Sequence, residues 1–438
     1  MMLDFTMFNH GTERVLAMKK MFLVYLFLGG VSVFCVGEER NVEILADTPA
    51  TLPRIVAVTR MTQGPRHHFF GYYAICPWDA SGRYLACMEA DFGDRAKKPG
   101  EAAHICIVEE TTGKMERVAE TKAWNFQQGA LVHWVGDKKE LIYNDVVDGK
   151  LVAIMLNVET GRKKILPRAI TSVAPDGTWA ACISFGRLNT TRPGYGYPGV
   201  EDFYANDPHP KEDGLWRMDL KTGECTLIAS LNDVYHISPP KAEFRMNPMW
   251  MNLVIVSRDS NHVATLSRYY GEKGWYTSLF TVGADGSDLR CVIPYEWGGS
   301  HFDWADGERI IITTRLHGKQ GGHVIFTNGK EDHRLLAPDV LTRDGHCHVS
   351  PDGRWMVTDS YPVGNARMQH FYILDMKTEQ VALLGRFHEP EKYKDKWRCD
   401  LHPRWSRDSR RICIDSTHDG SRQVYVVELE MPEKKENH

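Results

Sequence analysis

A chain of 438 residues, 42% hydrophobic and 25% charged, has the balance of a folded globular protein and excludes a disordered or low-complexity one. That length fits one large all-β domain or two to three ordinary domains. The net charge of -4 excludes the basic field of a nucleic-acid-binding surface, so an anionic ligand has to be met by local arginines.

At the N-terminus, Arg14, Lys19 and Lys20 precede an apolar run over 21–37, and Glu38-Glu39-Arg40 follows it at once. The run is too short and too sharply flanked for a membrane span, and reads as a signal peptide cut near Gly37, with Met18 a candidate start. Cys35 raises lipidation, but Phe34 before it is bulky for such a motif, so export or a periplasmic location is preferred to a lipid anchor. There is no second apolar run of spanning length, so stable membrane insertion after cleavage is not expected. Of ten cysteines, all but Cys35 lie beyond the cut, which leaves an odd number and at least one thiol free or paired between chains. Cys87, Cys182 and Cys413 fall at similar places on apolar strands and read as buried core thiols.

After an expected linker over 38–52, one pattern recurs seven times. Its copies are Pro77-Trp-Asp-Ala-Ser-Gly-Arg-Tyr-Leu-Ala86, His133-Trp-Val-Gly-Asp-Lys-Lys-Glu-Leu-Ile-Tyr143 and Val173-Ala-Pro-Asp-Gly-Thr-Trp179. Val256-Ser-Arg-Asp-Ser-Asn-His262, Trp304-Ala-Asp-Gly-Glu-Arg-Ile310, Val349-Ser-Pro-Asp-Gly-Arg-Trp355 and Trp405-Ser-Arg-Asp-Ser-Arg-Arg411 complete the series. Each joins an apolar residue, a tight turn and a second apolar strand, and Asp, Gly and Ser suit such turns. A second strand-turn-strand unit follows most copies, so two hairpins make a four-stranded blade. The expected fold is therefore all-β: a single seven-bladed β-propeller over 53–431 with a tail over 432–438. The seventh copy ends at 423–430 with no fourth strand after it, so the strand-like segment 54–62 is expected to close the last blade. The longest spacing, between the third and fourth copies, includes 187–213, rich in Gly, Pro, Tyr and Asn. Twelve Trp and 17 Tyr are expected mainly to fill strands and blade interfaces, with exposed rings able to stack on sugars.

In a propeller, the innermost strand of each blade lines the channel, so equivalent positions form a ring. His301, His346 and His402 each stand three residues before the apolar residue of their copy, in three successive blades. Two residues further on the same strand face come Asp303, His348 and Arg404, and two residues before come Asp344 and Asp400. Imidazoles with nearby carboxylates suit a divalent metal of the zinc, manganese or iron type, and the alternative is a water-filled polar channel. His67-His-Phe-Phe-Gly-Tyr-Tyr73 offers imidazole and phenol groups for proton transfer, or simply a first strand with its polar residues turned to the channel. Arg187-Leu-Asn-Thr-Thr-Arg-Pro-Gly-Tyr-Gly-Tyr197 offers Arg192, Tyr195 and Tyr197, or else is a loop packed by its own tyrosines. Arg268 ends a strand that can reach the channel, and Arg398 and Arg404 flank His402.

Several of these segments resemble TolB-type propellers and, more specifically, the oligogalacturonate and ulvan lyases. They are Phe69-Phe-Gly-Tyr-Tyr73, Trp124-Asn-Phe-Gln-Gln-Gly129, Gly345-His-Cys-His-Val-Ser-Pro-Asp-Gly353 and Asp400-Leu-His-Pro-Arg404. The resemblance implies a lyase that cleaves uronic-acid-containing oligo- or polysaccharide by β-elimination, with a divalent metal (Mn or Zn) and no organic cofactor. It implies metal ligands at His346 and His348, with His301 a partner from the preceding blade, and His402 joins this metal set by its place in the row. It implies charge neutralisation by Arg192 or the metal and proton transfer by His68, Tyr195 or Tyr197. Substrate contacts are expected from Arg268, Arg398 and Arg404. Where the ulvan lyases lead one to expect histidines near the second blade's inner strand, this chain has Gln127, Gln128 and Asn144, and Gln128 and Asn144 are assigned to substrate binding. The rival readings are a non-catalytic periplasmic propeller that binds glycan or protein, and a glycoside hydrolase using a pair among Asp344, Asp359 and Asp400.

Overall fold

The computed structural model describes residues 41–433; the expected signal peptide over 1–37 and positions 434–438 of the tail lie outside them. Seven antiparallel sheets follow one another along the chain, from a blade that begins at His67–Phe69 to one that begins at Arg404–Trp405. The innermost strands of the third to seventh blades lie side by side around a central channel, as a seven-bladed β-propeller requires.

The repeated turn explains why each blade starts as it does. In the sixth copy the Ser350 hydroxyl donates to Asp352 at 2.5 Å, and the Ser350 N–H donates to the Trp355 carbonyl at 2.7 Å. One position of the turn needs a left-handed backbone: Gly82, Gly177 and Gly353 take it at φ of 68°, 68° and 71°. Ser260 and Ser409 take it at 64° and 58°, so the Asp-Ser copies fold like the Asp-Gly ones. Neighbouring blades are then tied by buried indoles. Trp134 Nε1 donates to the Pro77 carbonyl, Trp304 Nε1 to Ile255 and Trp405 Nε1 to His348, each in the preceding blade.

The strand Arg54–Arg60 pairs antiparallel with Gln423–Glu430 as the outer strand of the seventh blade, so the two ends of the domain share one sheet. The expected linker is more ordered than a linker. Val42–Ile44 adds a fifth strand to Val381–His388 on the sixth blade, and Leu52 is buried beside Trp355 and Phe371. An outer strand left bare presents a row of unpaired N–H and C=O groups, and the added strand satisfies them. All nine cysteines among the described residues are free thiols, and Cys87, Cys182 and Cys413 are buried. Among the described residues, no helix is long and apolar enough to cross a membrane.

Two departures from regularity shape the site. In the first blade the inner edge is broken: His67–Phe69 pairs with one end of Tyr84–Ala90, and Trp78 bridges Leu85 at the other. The chain between them crosses the channel. In the third blade the long insertion does not start as a loop, as its Gly and Pro content led one to expect. A short helix, α1 (Phe185–Thr191), is capped by the Ser184 side chain, which accepts from the Arg187 N–H, and Pro193 and Gly194 follow its end. Arg187 is buried and donates to the carbonyls of Met249, Tyr204, Asp207 and Pro208, which braces the insertion from within.

Candidate active site

The crossing segment is held from below by a buried ion pair. Arg404 donates to Asp415 at 2.7 Å, and also to the carbonyls of Gly71 and Tyr72 at 2.9 and 3.1 Å. Asp415 in turn accepts from the Phe70 and Gly71 N–H groups. Gly71 has a φ of 122°, and a Cβ there would lie 2.7 Å from the backbone of Gln128. Tyr73 Oη donates to the Phe302 carbonyl at 3.0 Å and accepts from the Phe302 N–H at 2.9 Å. Tyr72 and Tyr73 are thereby laid against three histidines.

Those histidines stand in a row. The rings of His301 and His346 are 4.1 Å apart and those of His346 and His402 are 4.2 Å apart, with Tyr73 against His346 and Tyr72 against His402, each at 5.2 Å. Each histidine spends Nδ1 on an orienting partner: Asp344 at 3.1 Å for His301, Asp359 at 2.8 Å for His346 and the Gly71 carbonyl at 2.7 Å for His402. This leaves the Nε2 atoms of His346 and His402 buried without a partner, while Asp400 Oδ2 lies 2.8 Å from Arg398 Nε in an ion pair. Ligand atoms of His346, Asp400 and His402 all lie within 4.8 Å of one another. Buried polar atoms are rarely left unsatisfied, and ligand histidines usually donate their other nitrogen to a carboxylate or carbonyl, so this set fits a divalent cation. His402 has a φ of 45°, and Leu131 and Leu253, at the same repeat position, have 51° and 54°. That left-handed backbone costs on the order of 1–3 kcal/mol in a non-glycine residue, a cost met here by the surrounding packing.

A wall of guanidinium groups flanks the histidines. Arg398 Nη2 donates to Tyr195 Oη at 3.0 Å and its Nε donates to Asp400 at 3.1 Å, which links the phenol to the carboxylate of the metal set. Arg192, at the end of α1, lies 3.7 Å over the Tyr195 ring. With its amide oxygen turned towards them, Asn252 accepts from Arg192 at 2.7 Å and from Arg268 at 2.9 Å. Burial alone would raise the Tyr195 phenol, but the charges of Arg398 and Arg192 outweigh it and hold the phenol below its ordinary value. Burial raises the Tyr72 phenol, with Tyr195 adding to the effect. Burial also lowers Arg268 to about 9, helped by the charge of Arg192.

Of the residues expected from sequence, the fold brings together Arg192, Tyr195, Arg268, Arg398, His301, His346 and His402. Six others stand elsewhere. His68 is buried between Gln423 and Glu89, with both ring nitrogens engaged at 2.9 and 3.1 Å, so it has no nitrogen free for a substrate proton. Tyr197 stacks on Phe185 and receives the Asn144 amide, which makes both residues part of the core. Arg404 is committed to Asp415 and the crossing segment, as described above. Gln128 is buried and lines a void of about 20 Å³ beside Tyr72 and Leu131, room for a single water. His348 lies one strand repeat from His346, accepts from the Trp405 N–H at 3.1 Å and lines a separate cavity of about 430 Å³, so it stands apart from the set of His346, Asp400 and His402. The carboxylate pair that a glycoside hydrolase needs is likewise spent. Asp359 accepts from His346 Nδ1 and the His402 N–H, and Asp344 accepts from Ser300 and His301. Asp400 as a ligand atom, the phenol of Tyr72 and the bridging amide of Asn252 had escaped assignment. Asp400 was legible as a carboxylate near His402, and Tyr72 as part of a quoted segment; nothing in the sequence marks Asn252.

Fold and site together define a seven-bladed propeller with a histidine and carboxylate cluster beside a wall of arginines. No protein-family model and no curated protein matches the chain. Among solved structures, it is similar to an oligogalacturonate lyase in complex with manganese, with a TM-score of 0.61 and 18% identity over 86% of this chain and 95% of that one. It is also similar to the oligogalacturonate lyase of Vibrio parahaemolyticus, with a TM-score of 0.61 and 18% identity over 89% of this chain and 96% of that one. At this identity, the likeness establishes the fold.

Proposed function

We propose that the protein is a polysaccharide lyase that cleaves a uronic-acid-containing oligo- or polysaccharide by β-elimination. The observation that carries this reading is a phenol, Tyr195, held below its ordinary pKa by two guanidinium groups beside two unpartnered histidine nitrogens and the Asp400 carboxylate. The proton next to a uronate carboxylate is weakly acidic, and removing it needs both a base and positive charge on that carboxylate. Arg192 and Arg268, aligned by Asn252, supply paired donors for the carboxylate. His346, His402 and Asp400 would hold a divalent cation, which as a Lewis acid adds to the charge stabilisation there. Tyr195 Oη takes the proton from C5, the C4–C5 double bond forms and the C4–O4 bond breaks. Tyr72, kept protonated by burial, donates to the departing O4. Two titratable groups pushed in opposite directions by their surroundings make such an acid-base pair.

The test is to incubate the purified protein with a panel of uronate-containing glycans and follow the ultraviolet absorbance of the unsaturated product, with and without chelator. A rise abolished by chelator supports a metal-assisted lyase. A rise that chelator leaves unchanged keeps the lyase and makes the histidine cluster structural. Binding without any rise overturns the lyase in favour of a glycan-binding propeller.

A further inference from the structure

Of the twelve tryptophans, Trp275 alone is exposed, at 46%. It sits near the tip of the hairpin formed by His262–Gly271 and Gly274–Gly283, whose ten-residue strands are the longest among those described. The tip is not left loose. Tyr270, paired with Trp275 across the hairpin, donates from its hydroxyl to the Thr191 carbonyl at 2.9 Å, and its own carbonyl accepts from Asn247 at 2.7 Å. The Trp250 ring packs against Tyr270 at 5.1 Å. The hairpin is thus pinned to the end of α1, one residue before Arg192. As a result, the Trp275 ring lies 5.1 Å from the Arg192 guanidinium and 5.6 Å from that of Arg268.

An indole left half in water forgoes the burial that its size would bring, and the tethers spend several bonds on holding it there. We infer that Trp275 is a stacking platform for a further sugar ring of the substrate, beyond the two that flank the scissile bond and next to the ring whose carboxylate meets Arg192 and Arg268. The C–H face of a pyranose lies flat on an indole through dispersion contacts, while its hydroxyls and carboxylate stay at the rim in reach of water and the arginines. This assigns the site an acidic oligosaccharide of at least three linked sugars rather than a disaccharide. It rests on the lyase reading for the class of ligand.

The experiment measures kcat and KM on oligogalacturonates and glucuronate-containing oligosaccharides, from disaccharide to pentasaccharide, for wild type, Trp275→Ala and Trp275→Tyr. Wild type is expected to gain about tenfold in KM when the chain becomes long enough to cover the indole. Trp275→Ala should lose that gain with kcat little changed, and Trp275→Tyr should recover most of it. The inference is overturned if Trp275→Ala keeps the wild-type length dependence, or if it lowers kcat equally at every length, as a mere support for Arg192 would. If the oligosaccharides bind without turnover, the lyase reading fails, and the same length dependence read in Kd decides the platform by itself. If none binds to wild type, both fall together.

Discussion

The guanidinium of Arg398 donates to the phenolic oxygen of Tyr195 at 3.0 Å, joining residues 203 positions apart in the chain. Arg398 also donates to Asp400, so one side chain couples the proposed base to the proposed metal set. The first prediction follows from this contact. Tyr195→Phe removes the base and should lower kcat by about 10²–10⁴-fold while leaving the melting curve near that of wild type. Activity at wild-type level would remove Tyr195 from the mechanism.

The same contact sets a pH dependence. Tyr195 has to be ionised to accept the proton, so kcat/KM should rise with pH through its pKa. The charge of Arg398 lowers that pKa against the opposing effect of burial. Arg398→Gln takes away the lowering charge, so the rising limb of the profile should move to higher pH. A limb that stays in place would mean that another group is titrating.

Metal binding separates two histidines of one His-x-His pair. His346→Ala and His402→Ala each remove an unpartnered ligand nitrogen and should abolish manganese binding in a calorimetric titration. His348→Ala should leave that binding unchanged, because its imidazole lines a separate cavity and stands apart from the other ligands.

The crossing segment hangs on the ion pair of Arg404 and Asp415, both buried. Asp415→Ala leaves a buried guanidinium without its counter-charge and frees the Phe70 and Gly71 N–H groups. It should cost about 3–5 kcal/mol in a urea titration. A loss within the error of the measurement would show that the segment is held by other contacts.

Asp303 gives stability a pH dependence of definite sign. Burial raises its pKa from 3.8 to about 6, although Arg258 and two backbone N–H groups oppose the shift. Between those values the folded state holds a proton that the unfolded state has lost. The stability contributed by this group is therefore complete below about pH 4 and declines as pH rises through about 6. Relative to Asp303→Asn, wild type should weaken across that window by about 2–3 kcal/mol. Parallel denaturation curves at several pH values would test it, and a constant difference would contradict it.

The propeller was legible in the sequence because its information is local. An Asp-Gly or Asp-Ser turn between two apolar strands needs no distant partner to be recognised, and seven such units leave little choice of architecture. The row of histidines was legible for a related reason: a fixed offset from a repeated turn becomes a fixed level in the channel, and His301, His346 and His402 share that offset. The same reasoning misled for His348, because a strand carries alternate side chains along one face but not to one height.

Which polar groups remained free was decided only by the tertiary structure. Arg398 and Arg404 both flank His402 in sequence, yet one reaches Tyr195 and the other is consumed by Asp415 and the crossing segment. Tyr195 and Tyr197 are two residues apart, yet one phenol lies among guanidinium groups and the other against Phe185 and Asn144. Sequence by itself determined the ring of blades and the level of the histidines, since turns and strand offsets act over a few residues. The chemistry of each side chain depends on hydrogen bonds and charges contributed by other blades, and only the closed ring brings those within reach.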